Sequence, residues 1–139
     1  MDWDTHRYLE AFFAVPMLGS TLHTVNIRLS PSQIAYTIDH AEDDVILFHA
    51  DFIPLLEEVM LEVKRDARLI VMRDSADIEL PQTTLKIEAI FDELFINTDQ
   101  YFSFPDFDEN IRATTFYTTG TTGNPKAVAF SHRQLVLHT

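Results

Sequence analysis

The feature that most restricts the fold is an alternation of short apolar runs with capped amphipathic stretches. Ser30-Pro31-Ser32-Gln33 is a compact helix start. Ser30 is suited to cap the first free amides, Pro31 fits the first helical position, and Gln33 can reach back to close a capping box. Ile34, Ala35, Ile38 and Ala41 then place apolar side chains on one helical face, and Val45-Ile46-Leu47-Phe48 follows as a buried-strand run. Asp51 and Pro54 open a second helix carrying Leu55, Leu56, Val59, Met60 and Val63, and Leu69-Ile70-Val71-Met72 is the next apolar run. With the strand-like Thr21 to Val25 before them, this β-α-β-α-β order predicts an α/β fold of mostly parallel units, because parallel neighbours need a crossover that a helix supplies.

The flanks extend the pattern. Tyr8, Leu9, Phe12, Phe13 and Pro16 recur at helical spacing, with Gly19 as the stop, and Thr21 to Val25 reads as a strand. Asp74 to Gln82 reads as a loop and Thr84 to Phe95 as a helix. Asn97 to Asn110 reads as an acidic loop whose Tyr101, Phe102, Phe104 and Phe107 pin it to the core. Thr114-Thr115-Phe116-Tyr117 and Val128-Ala129-Phe130 are strand-like, and Ser131 can cap a last helix bearing Leu135 and Val136.

Between those two strands lies Thr118-Thr119-Gly120-Thr121-Thr122-Gly123-Asn124-Pro125-Lys126. Gly120 and Gly123 let backbone N–H groups approach an anion closely, and successive amides in such a turn make an anion-binding concavity. Thr119, Thr121 and Thr122 add hydroxyls, one of which can also reach a bound magnesium. Lys126 supplies a mobile positive charge, and Pro125 fixes the backbone before it. The segment is not a Walker A motif, which requires Gly before the Lys and Ser or Thr after it; here Pro125 and Ala127 occupy those places. The plain structural alternative is a hairpin turn that binds nothing.

Composition narrows the function further. The 139 residues include no cysteine, which excludes disulfides, thiolate metal sites and a cysteine nucleophile. Ten basic residues against 22 acidic ones give a net charge of −12, a surface that repels nucleic acid and anionic membranes. No apolar run approaches a membrane-spanning length, and a cytoplasmic location is expected. His6, His23, His40, His49 and His138 lack metal-ligand spacing and read as structural or surface residues.

The stretch Tyr117 to Lys126, Y-T-T-G-T-T-G-N-P-K, resembles the phosphate-binding signature of the adenylate-forming superfamily, and the chain looks like its AMP-forming acyl-CoA ligases. Thr5 to Glu10, Leu22 to Ser30, Ile34 to Asp43 and Ser131 to His138 resemble the medium- and long-chain fatty acid branch. The resemblance implies a fatty acid substrate, ATP, Mg²⁺, and coenzyme A as co-substrate. It implies that a carboxylate attacks the α-phosphate of ATP to give an acyl-adenylate and pyrophosphate, and that coenzyme A then displaces AMP. By residue-for-residue likeness, Thr118, Thr119, Gly120, Thr121, Thr122, Gly123 and Lys126 would hold the β,γ-phosphates. Thr121 would touch the metal, and His132 would lie beside the adenylate and acyl group. Homodimerisation is a property of relatives that the likeness also implies.

One departure is Ala127, where the family usually has Gly. The likeness further implies that residues 1–139 form part of the N-terminal AMP-binding domain. Its early strands, its later nucleotide- and magnesium-binding segments and the C-terminal lysine-bearing domain would lie elsewhere. This piece alone is therefore expected to be inactive. Competing readings are an activator of another acid, aryl or amino, and a non-catalytic phosphate-binding protein.

Overall fold

The computed structural model describes residues 1–96, 98, 101–118 and 123–138. The chain divides into two compact units, one of Met1–Trp3 with Asn26–Gln100 and one of Asp4–Val25 with Tyr101–Thr139.

In the first unit, α2 (Pro31–Ala41), β2 (Val45–His49), α3 (Ile53–Met60), β3 (Arg68–Met72) and β4 (Ile87–Ile90) follow the expected alternation, preceded in the chain by α1 (His6–Met17) and β1 (Leu22–Thr24) of the other unit. The capping box is formed: Gln33 N–H donates to Ser30 Oγ at 3.3 Å and Ser30 N–H to Gln33 Oε1 at 3.2 Å. The sheet runs β2-β3-β4 with both pairings parallel. Ile34, Ile38, Phe48, Leu56, Val59 and Val71 are fully buried, so the predicted helix stripes and strand runs meet in one core. Asp39 fastens the end of α2 to the α3–β3 turn by accepting the N–H groups of Lys64 and Arg65 at 3.0 and 3.3 Å.

Thr84 to Phe95 is not a helix. Ile87–Ile90 is a strand, and Phe91–Phe95 is a 3₁₀ turn. Leu85-Lys86-Ile87-Glu88-Ala89 alternates apolar and polar residues, a period-two signal, and β3 offers an open edge that satisfies the backbone. Glu57 of α3 sets the approach to this strand. It accepts Thr84 N–H at 2.7 Å and the hydroxyls of Thr83 and Thr84 at 2.8 and 3.0 Å. Those bonds, the Thr84 amide first, hold its carboxyl below the usual range.

The second unit contains α1 (His6–Met17), β1 (Leu22–Thr24), β5 (Arg112–Thr118), β6 (Lys126–Ser131) and α4 (His132–Leu137). Its sheet runs β1-β5-β6, with β1 parallel and β6 antiparallel to β5. Gly19 ends α1 at φ +75°, a backbone angle that suits glycine. The aromatic loop does not pin itself down as expected. Tyr101 is 95% exposed, and Phe102 and Phe104 pack edge-to-face on each other at 5.2 Å while remaining over half exposed. Pro105 and the run Asp106 to Glu109 give this segment little apolar surface to commit, and only Phe107 is turned into a packed position. Among the described residues no helix is long and apolar enough to cross a membrane.

Candidate phosphate loop and the histidine beyond it

β-Branched and aromatic residues make β5 a strong strand, and Phe116 stacks on Phe130 of β6 at 5.8 Å with planes 17° apart. The register runs from Arg112↔Ser131 to Thr118↔Lys126. The two strands therefore bring the ends of the glycine-threonine segment together, with Thr118 Oγ1 donating to the Lys126 carbonyl at 3.4 Å. Pleat alternation puts Thr118 and Lys126 on the face that carries Phe116 and Phe130.

Thr118, Gly123, Asn124 and Lys126 are exposed, whereas Pro125 is buried. The proline thus anchors the hairpin beside a lysine that is open to solvent. Gly123 adopts φ +98°, and among the described residues nothing lies within 4 Å of where its Cβ would be. Its glycine is required by backbone angle and leaves open space for an approaching group. Ala127 pairs with Tyr117 inside β6, and non-glycine residues with positive φ are confined, among the described residues, to Asp4 and Glu42. Alanine is therefore unstrained at 127. The predicted contacts Thr119, Gly120, Thr121 and Thr122 lie outside the described residues.

His132 follows the other end of β6. Ser131 caps α4 as sequence predicts, with Gln134 N–H donating to Ser131 Oγ at 3.3 Å and Ser131 N–H to Gln134 Oε1 at 2.9 Å. A turn built on Asp108 holds the helix start from outside. Asp108 Oδ1 accepts Asn110 N–H at 2.8 Å and its amide Nδ2 at 2.7 Å, which keeps the Asp108 carboxyl below the usual range. From this turn the Ile111 and Glu109 carbonyls accept the N–H groups of His132 and Arg133 at 3.3 and 2.8 Å. Glu109 also binds the Arg133 guanidinium at 2.6 Å. The His132 ring lies 4.5 Å from that of Phe107, and its Nε2 is buried without a hydrogen-bond partner among the described residues. A buried unpaired imidazole nitrogen is costly, and a ligand atom would satisfy it.

Lys126 and His132 thus bracket one strand, roughly 20 Å apart along it at ordinary strand rise. Sequence reasoning missed Phe107 as a neighbour of His132. Thr115 Oγ1, in the middle strand, is also buried with no hydrogen-bond partner among the described residues. The Phe107 contact carries no local sequence signal, because it joins segments far apart in the chain. No group of three or more His, Cys, Asp or Glu side chains arranged to hold a metal is present among the described residues.

The family described as AMP-binding enzyme matches residues 1–139. A 3-methylmercaptopropionyl-CoA ligase of Ruegeria pomeroyi is 41% identical over 140 residues, covering 98% of this chain and 25% of that protein. A long-chain-fatty-acid–CoA ligase of Thermus thermophilus is 44% identical over 132 residues, covering 95% and 22%. The crystal structure of the anthranilate CoA ligase AuaEII with anthranoyl-AMP shares the fold at TM-score 0.79 and 22% identity, over 94% of this chain and 24% of that one. The chain spans about a quarter of the length of the curated relatives it matches.

Proposed function

The chain belongs to the AMP-binding enzyme family, and on that premise we propose that it is the part of an ATP-dependent fatty acid–CoA ligase that supplies the pyrophosphate-binding loop. It would form part of the N-terminal AMP-binding domain, with the C-terminal lysine-bearing domain lying outside these residues. In this reading a carboxylate attacks the α-phosphate of ATP, the α–β bridging bond breaks, and pyrophosphate leaves. Coenzyme A then displaces AMP to give the thioester.

The observation that carries the proposal is the hairpin closed at Thr118↔Lys126, with an exposed lysine, a buried proline and open space at Gly123. Negative charge grows on the departing pyrophosphate, and prepositioned donors stabilise it more than they stabilise bound ATP. Lys126 meets that charge directly. Thr118 to Gly123 contribute hydroxyl and backbone donors. The open face at Gly123 and the hydroxyl-rich sequence fit a magnesium-bound phosphate tail, with Thr121 the residue that would touch the metal. When bound, Mg²⁺ supplies neutralisation of the phosphate oxygens. His132, with its unpartnered buried Nε2, would hydrogen-bond the adenylate or the acyl carboxyl oxygen. The same reading makes the enzyme cytoplasmic and homodimeric.

A second acid class is favoured by a specific observation. Two methylmercaptopropionyl-CoA ligases, from Ruegeria pomeroyi and Ruegeria lacuscaerulensis, are 41% and 38% identical to this chain. A short sulfur-bearing acid is therefore the alternative substrate. Pyrophosphate–ATP exchange by the whole enzyme, run on a panel of acids, tests both parts. Lys126→Ala should lower exchange by roughly a hundredfold with every accepted acid, the scale of losing one prepositioned donor. Wild-type exchange in that variant would overturn the loop assignment, and the preferred acid would identify the substrate class.

A further inference from the structure

Three residues from distant parts of the second unit meet. The Phe107 and His132 rings lie 4.5 Å apart at a tilt of 43°. Gly19 lies along one edge of the Phe107 ring, where a Cβ would stand 3.2 Å from Phe107 Cδ1 and where φ is +75°. Glycine is thus needed twice at this position, for its backbone angle and for the room it leaves the ring. The turn after Phe107 grips the backbone of α4 at His132 and Arg133, so both ends of the Phe107–His132 contact are anchored. No polar partner orients the buried Nε2 edge among the described residues. Ring packing is what remains to do so.

We propose that Phe107, seated on Gly19, is a positioning residue that fixes the direction in which His132 presents Nε2. The inference rests on the reading that His132 touches the acyl-adenylate. An imidazole free to rotate about its side-chain bonds loses orientation each time it must meet a ligand. A ring pressed against one face removes those alternatives before the ligand arrives. The orienting group comes from the acidic aromatic segment, and its seat comes from the end of α1.

The test uses the whole enzyme with labelled histidine. Phe107→Leu should shift the His132 ring-proton signals and lower kcat/KM for the acid roughly three- to tenfold, the worth of one aromatic contact. KM for ATP should hold. Phe107→Tyr keeps a ring and should restore wild-type kinetics, whereas Gly19→Ala should reproduce the Phe107→Leu defect. In a His132→Ala background, Phe107→Leu should add no further loss. Unshifted His132 signals, or a Phe107→Leu enzyme that is merely less heat-stable with unchanged kcat/KM, would overturn the inference while an impaired His132→Ala enzyme left the underlying reading standing. A His132→Ala enzyme with wild-type kinetics would overturn both.

Discussion

Gly123→Ala isolates the backbone requirement of the β5–β6 hairpin. Among the described residues nothing lies within 4 Å of the Cβ position, so the added methyl clashes with none of them. What changes is conformational energy. At φ +98° an L-residue is outside its ordinary basins, and the left-handed penalty is about 1–2 kcal/mol. Against this, alanine narrows the unfolded ensemble and returns about 0.4–1 kcal/mol. The net expectation is a loss of about 1 kcal/mol. With a urea dependence of about 2 kcal/mol per molar, the unfolding midpoint of the 139-residue chain should fall by about 0.5 M. Asn tolerates positive φ better than Ala, so Gly123→Asn should recover part of the loss. If the hairpin holds the phosphates as proposed, Gly123→Ala should also raise KM for ATP in the whole enzyme. An alanine variant as stable as wild type, with asparagine no better than alanine, would refute the strain argument.

Three further outcomes follow from the first unit. Leu56→Ala, at a site with no exposed surface, should cost about 2–5 kcal/mol in urea unfolding. Ser30→Ala removes one side of the capping box and should cost about 1 kcal/mol, so the ranking of the two variants checks that packing outweighs capping here. Glu57 has a folded pKa below its ordinary 4.5, so its bonds to Thr83 and Thr84 stabilise the fold above that pH and are lost as acid protonates the carboxylate. Glu57→Gln should therefore flatten the fall in stability between about pH 5 and pH 3, measured by denaturation across that range.

Much of the first unit is legible because its signals are local. The capping box at Ser30 and the apolar runs at Val45 and Leu69 each lie within a few residues, and helix and strand formation read them directly. The alternation at Leu85 to Ile90 is equally local. It was outweighed by the acidic and apolar spacing around it, which also suits a helix, and β3 decided the outcome by offering backbone partners. The second unit is less legible, because its sheet joins Leu22 to Thr114 and its histidine is framed by Gly19 and Phe107. Residue types alone pick out the glycine-threonine segment as a candidate phosphate loop. It does not tell which strand lies next to it, or that Pro125 is buried while Lys126 is open.

The parallel pairing of β1 with β5 has a temporal consequence. Leu22 leaves the ribosome 92 residues ahead of its partner Thr114, a wait of roughly 5–20 s at ordinary synthesis rates. Throughout that interval β1 lacks the strand it pairs with in this sheet. The intervening segment, by contrast, holds all three strands of its own sheet and is free to settle first. Newborn chains should accordingly pass through a stage in which the strands of the first unit are protected from protease while residues 4–25 are still cut.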